Sequence, residues 1–216
     1  MPGASLAGVT TVEVFADVLC PFTHVGLHTL IDRRNQRGQD GPRLRIRAWP
    51  LELINGKPLE AHHVETEIVA LRGSVRPDLF SGFRTETFPT TTMTAFALTA
   101  AADRTGDPAI SEAVGMALRD ALFEQGLDIG RPEVVAAIAE RFGLEPLDHD
   151  ATVAAVEADW AEGKERGVIG SPHFFTAVGG SWFCPALAIS RDDVGNFIVA
   201  WKEGSEAFVD GVFGDG

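Results

Sequence analysis

The residues of this chain that are best suited to chemistry lie in the stretch FADVLCPFTHVG, residues 15–26. Cys20 follows an apolar segment that is typical of a β-strand, and Pro21 opens a segment that can form a helix. Unpaired N–H groups and the positive end of the helix dipole stabilise a thiolate at such a helix N-terminus. The thiolate is the attacking species in thiol–disulfide exchange, so Cys20 is the candidate nucleophile.

Thr23 occupies the position at which a C-x-x-C redox motif carries its second cysteine. Its hydroxyl can donate a hydrogen bond to the sulfur of Cys20, but it cannot attack a mixed disulfide. The sequence therefore excludes a two-cysteine shuttle that is confined to this motif. The alternative for Cys20 is an unreactive core thiol, because free cysteine is often buried.

Cys184 is the other cysteine of the chain, and it lies in SPHFFTAVGGSWFCPAL, residues 171–187. This segment indicates two short strands joined by a tight turn at Gly179 and Gly180. The hairpin reverses the chain, so the second strand returns Cys184 towards the end of the sheet that carries Cys20. We hypothesise that Cys184 is a resolving cysteine, which requires the two Cα atoms to lie within roughly 7 Å. The simpler interpretation is a small apolar residue packed beneath the strand.

The histidines do not indicate a metal site. His24 and His28 are four residues apart, a spacing that can bind a metal on a helix, but the sequence suggests no acidic third ligand nearby. His62 and His63 are adjacent, and no cysteine–histidine cluster has the spacing of a zinc motif. His24 could stabilise a thiolate if it lay close to Cys20, although an exposed position on the helix is the simpler interpretation. No glycine-rich phosphate loop follows a strand, so we expect no bound cofactor.

The composition is that of a globular protein, with 216 residues, 45% hydrophobic residues and 23% charged residues. The net charge of −13 argues against negatively charged partners, namely nucleic acids and anionic membranes. No stretch approaches the roughly 18 apolar residues of a membrane-spanning helix. The N-terminal residues lack the features of a secretory signal, so we expect a cytoplasmic protein.

Three successive units organise the chain around these residues. Residues 11–17 predict a strand, residues 21–38 a helix, and the segment from residue 42 a strand with one buried face that ends at Pro50. Residues 59–148 contain no good strand and predict a block of helices. A helix, the hairpin and a closing helix over residues 191–208 complete the order β-α-β, helical block, α-β-β-α.

The order of elements and the motifs together resemble DsbA-like thioredoxin-fold oxidoreductases of the FrnE type. VFADVLCPFTHVG resembles their opening D-x-x-C-P-W-C-x-x-G, with a C-P-F-T variant at the thiol. GVIGSPHFF resembles their loop G-V-x-G-V-P-T-F, in which the proline is cis, and LFEQGLDIGRPEVVAAIAERFGL resembles the helix pair that closes their inserted domain. The resemblance implies an α/β, thioredoxin-like fold with an all-helical insertion domain. Residues 1–58 and 149–216 would form the thioredoxin-like domain, and residues 59–148 the insertion.

The resemblance also implies a function, that of a thiol–disulfide oxidoreductase that works through the single active-site thiol of Cys20. Thr23 would hydrogen-bond the sulfur, and Ser171 and Pro172 would hold the backbone of an extended substrate as an added strand. The substrate would be a disulfide or thiol of a protein or a small molecule, and a small thiol such as glutathione or mycothiol would act as co-substrate. The sequence leaves open whether the chain is a monomer or a homodimer.

Three side chains near the thiol are expected to contact substrate. Pro21 and Phe22 follow the thiol directly, and Trp49 ends the second strand. Phe22 and Trp49 can form an apolar lip around the thiol. For Trp49, packing in the core is an equal alternative.

Two other functions stay open. The same architecture serves kappa-class glutathione transferases and 2-hydroxychromene-2-carboxylate isomerases, which carry serine at the position of Cys20. In a transferase or isomerase of this kind, a bound thiol would be the nucleophile and Cys20 would only orient it. The other alternative is a binding module that kept the substrate groove and lost the redox chemistry.

Overall fold

The computed structural model describes residues 11–38, 41–177 and 179–213. The chain opens with strand β1 (Thr11–Ala16), helix α1 (Pro21–Gln36) and strand β2 (Arg43–Ala48). The two strands pair in parallel, from Thr11 opposite Arg43 to Ala16 opposite Ala48. This is the β-α-β unit that the sequence predicts.

Helices and loops alone form the chain between β2 and residue 172, where every residue is described. The helices are α2 (Leu51–Asn55), α3 (Ala61–Ser74), a 3₁₀ turn at Thr85–Thr87, α4 (Met93–Asp103), α5 (Pro108–Phe123), α6 (Pro132–Glu140) and α7 (His149–Glu165). The helical block is therefore confirmed. No helix within the described ranges is long and apolar enough to cross a membrane.

Strands β1 and β2 belong to a four-stranded sheet. It is completed by β3 (His173–Phe175) and β4 (Ser181–Phe183), and its strand order is β2-β1-β3-β4. Strand β3 runs antiparallel to β1, with Val14 opposite Phe174. The central strand β1 is buried on both faces, because Val14 packs with Leu27 of α1 while Phe15 packs with Trp49 on the other face. This is the α/β, thioredoxin-like architecture with helices inserted after its second strand.

Helix α7 covers Arg47, the last arginine of β2. The side chain of Arg47 is only 7% exposed. Its Nε atom lies 2.6 Å from Oδ1 of Asp159, and its Nη2 atom lies 2.7 Å from Oε2 of Glu162. Strand β2 is therefore covered on both faces at Arg47, because ion pairs allow a charged side chain to pack against a helix. The side chains of Arg43 and Arg45 are 32% and 38% exposed, so the prediction of a single buried face holds for the rest of the strand.

Residues 191–208 do not form the predicted closing helix. The chain instead forms β5 (Leu187–Arg191), β6 (Phe197–Trp201) and α8 (Ser205–Phe213). Strands β5 and β6 pair antiparallel as a separate two-stranded sheet. A turn at Asp192 stops any helix, because its Oδ1 atom accepts hydrogen bonds from the amides of Val194 (3.0 Å) and Asn196 (2.8 Å).

Candidate active site

Cys20 lies at the N-terminus of α1, directly after the turn that follows β1. It is the N-cap residue, with an extended backbone (φ −79°, ψ 115°), and Pro21 follows in the first turn. Cys20 is 4% exposed, and its Sγ atom donates a hydrogen bond of 3.3 Å to the carbonyl oxygen of Ser171. The peptide bond between Ser171 and Pro172 is cis, and β3 begins at the next residue. The fold thus brings the thiol and the distant proline loop into contact.

Thr23 links α1 to the same loop. It is fully buried, and its Oγ1 atom lies 2.8 Å from Oγ of Ser171. Oγ of Ser171 also accepts a hydrogen bond of 2.9 Å from the amide of Asp17. When the Ser171 hydroxyl donates to Thr23, the Thr23 hydroxyl is left to donate to the sulfur of Cys20. The side chains of Thr23 and Ser171 therefore form a hydrogen-bonded pair beside the thiol.

Burial decides the protonation state of Cys20. Burial, and after it the negative charge of Glu67, raises the pKa of the thiol to about 11, against hydrogen bonds from Thr23 and Ser171 that lower it. The thiol is therefore protonated near pH 7 in this conformation. The expected thiolate is therefore disfavoured in this conformation, because burial raises the pKa of the thiol by more than the hydrogen bonds of Thr23 and Ser171 lower it.

Glu67 of α3 is a candidate functional residue that was not expected from the sequence. Its side chain is 12% exposed, and Nε2 of His63 lies 3.5 Å from its Oε1 atom. Burial raises the pKa of Glu67 to about 7, although the charge of Arg191 lowers it. A signal was present in the sequence, because Glu67 follows Val64 by three residues and precedes Leu71 by four. A helix places these three residues on one face, and that face is buried here.

Cys184 also contacts the loop that carries Pro172. It follows β4 directly, and its amide donates a hydrogen bond of 2.9 Å to the carbonyl oxygen of Pro172. Cys184 is 8% exposed, and burial, followed by the charge of Cys20, raises the pKa of its thiol to about 12. Both cysteines are free thiols. The hairpin returns Cys184 to the end of the sheet that carries Cys20, and its role as a resolving cysteine stays a prediction.

Phe22 forms part of a wall near the thiol. Its ring centroid lies 6.4 Å from that of Phe197 in β6, which in turn lies 5.5 Å from the ring of His63. Pro21 is buried at the start of α1. A cavity of about 620 Å³ between α3 and the β5–β6 hairpin shares His63 and Phe197 with this wall, and Arg191 lines it as well. Phe197 was not expected at the site because its segment was predicted as a helix.

Trp49 lies in the core. It is 4% exposed, and its ring packs edge-on against Phe15 with the centroids 6.3 Å apart. Helix α7 covers it so closely that a Cβ atom at Gly163 would lie 2.5 Å from the Trp49 ring. The structure therefore does not bring Trp49 to an apolar lip with Phe22, because the helix that covers the sheet encloses its side chain.

Two buried charged residues fix the turn that positions the thiol. Asp17 accepts hydrogen bonds from the amides of Leu19 (2.7 Å) and Leu51 (2.6 Å), while burial raises its pKa to about 6. Arg119 of α5 is 1% exposed and donates a hydrogen bond of 3.2 Å to the carbonyl oxygen of Asp17. Burial lowers the pKa of Arg119 to about 10. Arg119 was not expected here, because an arginine in a helix is seldom fully buried.

The two histidines of α1 face α5. His24 is fully buried, with its Nε2 atom 2.9 Å from Oε1 of Glu124, and Nε2 of His28 lies 3.2 Å from Oδ1 of Asp120. Burial lowers the pKa of His24 to about 4, so this ring is neutral near pH 7. Although burial raises the pKa of Glu124, hydrogen bonds from His24 and from two backbone amides hold it at about 2. These contacts correct two expectations, an exposed His24 and a histidine pair without an acidic neighbour.

The chain is similar to one known protein family and to several solved structures. Residues 11–190 match the model of the DSBA-like thioredoxin domain. A probable DsbA oxidoreductase from Streptomyces coelicolor aligns with a TM-score of 0.57 at 18% identity, over 94% of this chain and 88% of that chain. The cytosolic disulfide reductase DsbM from Pseudomonas aeruginosa aligns with a TM-score of 0.54 at 16% identity, over 93% and 97%. No curated protein matches the chain in sequence.

A 2-hydroxychromene-2-carboxylate isomerase also aligns, with a TM-score of 0.54 at 16% identity, over 80% of this chain and 88% of that chain. At these identities the neighbours show the fold. The family match is more specific, since its residues 11–190 include Cys20, Thr23, Ser171, Pro172 and Cys184. The chain belongs to the family of DSBA-like thioredoxin domains.

Proposed function

We propose that the protein is a thiol–disulfide oxidoreductase that acts through the single thiol of Cys20 with a low-molecular-weight thiol. One observation carries the proposal: Sγ of Cys20 lies at the N-terminus of α1, 3.3 Å from the backbone of Ser171, with Thr23 bonded to the same loop. A disulfide substrate that lies along Ser171 and Pro172 would meet the sulfur at this point. Pro21 and Phe22 would provide apolar contacts next to it.

The reaction needs two exchange steps. The Cys20 thiolate attacks one sulfur of a substrate disulfide, so that a Cys20–substrate disulfide forms and the other substrate sulfur leaves as a thiolate. A second thiol then attacks the substrate sulfur of that mixed disulfide. A new disulfide forms between these two, and Cys20 leaves as a thiolate and regains a proton. The electrons balance, because one disulfide is consumed and one is produced.

Glu67 is the candidate acceptor of the Cys20 proton. Its charge raises the thiol pKa, so the two groups interact, and its own pKa of about 7 allows it to take and return a proton near neutral pH. Thr23 and Ser171 would then stabilise the thiolate through the hydrogen bonds that lower the pKa of Cys20. Proton transfer to Glu67 also removes the negative charge that disfavours the thiolate.

The second thiol must come from outside the C-P-F-T motif, because Thr23 cannot attack a disulfide. Glutathione or mycothiol fits this role. Cys184, bonded through its amide to Pro172, is the alternative; it would instead attack the sulfur of Cys20, so that an internal disulfide forms and the substrate sulfur leaves as a thiolate. DsbM, a cytosolic disulfide reductase with this fold, is also described in a structure with GSH. A cytoplasmic location is proposed on the same ground, since small thiols keep that compartment reducing.

A transferase or isomerase is the second candidate function, and the high pKa of Cys20 favours it. A thiol with a pKa of about 11 stays protonated and can donate a hydrogen bond to the thiolate of a bound small thiol. In that reaction the bound thiol is the nucleophile and Cys20 forms no covalent bond. Serine could then replace Cys20, because its hydroxyl donates the same hydrogen bond.

The Cys20→Ser variant separates the two functions. Glutathione-dependent reduction of a small disulfide, for example 2-hydroxyethyl disulfide, is measured for wild type, Cys20→Ser and Cys184→Ser. The oxidoreductase requires activity in wild type and Cys184→Ser, with none above the uncatalysed rate in Cys20→Ser. Equal turnover in wild type and Cys20→Ser would support the bound-thiol chemistry. A binding module would show no turnover in wild type and no glutathione adduct on Cys20 by mass spectrometry.

A further inference from the structure

A cluster of metal-binding side chains lies between α1 and α5, apart from the thiol site. One ligand atom from each of His24, His28 and Asp120 lies within 4.8 Å of the other two. The two histidines are one helical turn apart on α1, and Asp120 projects from α5 next to His28. We propose that these three residues bind a divalent transition-metal ion, best fitted by zinc, which clamps α1 to α5.

The donor set suits zinc. Two imidazole nitrogens and one carboxylate oxygen are typical ligands of zinc and of the neighbouring late first-row metals. In a tetrahedral site with ligands about 2.0–2.1 Å from the metal, the ligand atoms lie about 3.4 Å apart. The ligand atoms of the three residues already lie within 4.8 Å of one another, close to that spacing. Water takes the fourth position.

Glu124 orients His24 as a metal ligand. Its Oε1 atom lies 2.9 Å from Nε2 of His24, and as an acceptor it keeps the proton of the neutral ring on Nε2. Nδ1 therefore carries a lone pair, and this buried atom has no hydrogen-bond partner among the described residues. A carboxylate that holds the nitrogen opposite to the metal is the usual support of a histidine ligand. A metal bound at Nδ1 would give this buried nitrogen the polar partner that it otherwise lacks.

The cluster of His24, His28 and Asp120 is enclosed on one side and open to solvent on the other. The ring of His24 lies 5.2 Å from the ring of Phe80 and 4.9 Å from that of Phe123, so apolar side chains enclose it. His28 and Asp120 are 20% and 36% exposed, which leaves a route from solvent for the ion and its water. Such a site holds an ion between the helices while its fourth ligand stays exchangeable.

Equilibrium dialysis of the full chain against zinc alone tests the proposal, with bound metal counted by mass spectrometry. A Cys20→Ser/Cys184→Ser background removes the thiols as competing ligands. We expect one zinc per chain, and at least a tenfold weaker affinity after His28→Gln or Asp120→Asn. Both residues are partly exposed, so these variants should fold. His62→Gln is the control, because His62 is an exposed histidine on α3 and its loss should change nothing.

Thermal unfolding gives an independent result on the same proteins. Zinc that binds only the folded state raises the melting temperature of the background protein and of His62→Gln. It should leave the melting temperature of His28→Gln and Asp120→Asn unchanged. The proposal is overturned if the background protein binds less than one zinc per chain at millimolar zinc, or if both variants bind zinc as tightly as the background protein.

Discussion

The two cysteines contact neighbouring residues of one loop and are surrounded very differently. Cys20 bonds to the carbonyl of Ser171 through its sulfur, whereas Cys184 bonds to the carbonyl of Pro172 through its amide. Burial raises the pKa of both thiols, to about 11 for Cys20 and about 12 for Cys184. Burial and a raised pKa therefore do not distinguish a nucleophile from a packed cysteine.

The difference lies in what can stabilise the sulfur anion. Hydrogen bonds from Thr23 and Ser171 lower the pKa of Cys20, and the thiol lies at a helix N-terminus. For Cys184, the charge of Lys202 lowers the pKa of the thiol, and burial outweighs it. Cys184 packs with apolar residues of the larger core cluster. We therefore propose exchange chemistry for Cys20 and packing for Cys184, and the following variants test this difference.

Replacing the two thiols in turn should give the largest difference. Cys20→Ser should lose all disulfide exchange above the uncatalysed rate, because no other thiol meets the groups that stabilise an anion. Cys184→Ser should keep exchange within about threefold, with a loss of stability of about 1–3 kcal/mol from burying a hydroxyl in an apolar site. Turnover with 2-hydroxyethyl disulfide and urea unfolding measure these effects. Loss of exchange in Cys184→Ser at full folding would make Cys184 the resolving thiol.

Thr23→Cys should convert the one-thiol site into a two-thiol site. The new thiol can attack a mixed disulfide on Cys20 and release the small thiol, leaving an internal disulfide. After treatment with glutathione disulfide, non-reducing intact mass should show an oxidised chain without adduct. Thr23→Ser is the control and should keep the adduct, because it supplies a hydroxyl but no thiol. Equal adduct yield in both variants would contradict the position assigned to Thr23.

Thr23→Val should slow the reaction of Cys20 by removing a hydrogen bond at nearly constant volume. A rise of about one unit in the thiol pKa corresponds to about a tenfold smaller thiolate fraction near neutral pH. The rate of iodoacetamide alkylation at Cys20, followed by peptide mass spectrometry, measures this change. Thr23→Ser should react like wild type. An unchanged rate in Thr23→Val would show that the hydroxyl does not stabilise the sulfur.

Glu67→Gln should give the smallest effect, and the effect should depend on pH. The negative charge of Glu67 raises the Cys20 pKa, and its own pKa is about 7, so the charge is present above pH 7 and absent well below it. Alkylation of Glu67→Gln should therefore be a few-fold faster than that of wild type at pH 8.5 and equal at pH 5.5. Exchange turnover should fall instead, because the proton acceptor is lost. A Glu67 that only supports packing would produce neither change.

Local patterns in the sequence predicted much of the fold. The apolar spacing of β1 and α1 and the proline after Ser171 each act over a few residues, and the elements they predict are present. The β3–β4 hairpin is present as well, but its strands are joined by residues 176–180 and not by a tight turn at the glycine pair alone. The β5–β6 hairpin was missed although Phe197, Val199 and Trp201 alternate as in a strand. Their segment also ends in a real helix, α8, and the apolar residues of both were assigned to one helix.

Contacts between distant elements could not be predicted from local patterns. The burial of Cys20 and the nearby charge of Glu67 depend on how α3 packs over α1. The contact between His28 and Asp120 likewise depends on the packing of α1 against α5, because the two residues are 92 positions apart in the chain. Sequence spacing gives the face of a helix on which a residue lies, and the neighbouring element decides whether that face is buried.

The most direct test of the central claim is the location of the first mixed disulfide. The wild-type chain, with both cysteines reduced, is exposed briefly to glutathione disulfide at pH 8, quenched with acid and mapped by peptide mass spectrometry. A single glutathione on the peptide that contains Cys20, with Cys184 still reduced, is the predicted result. Glutathione on Cys184 first, or on neither cysteine under conditions that modify free cysteine, would contradict it.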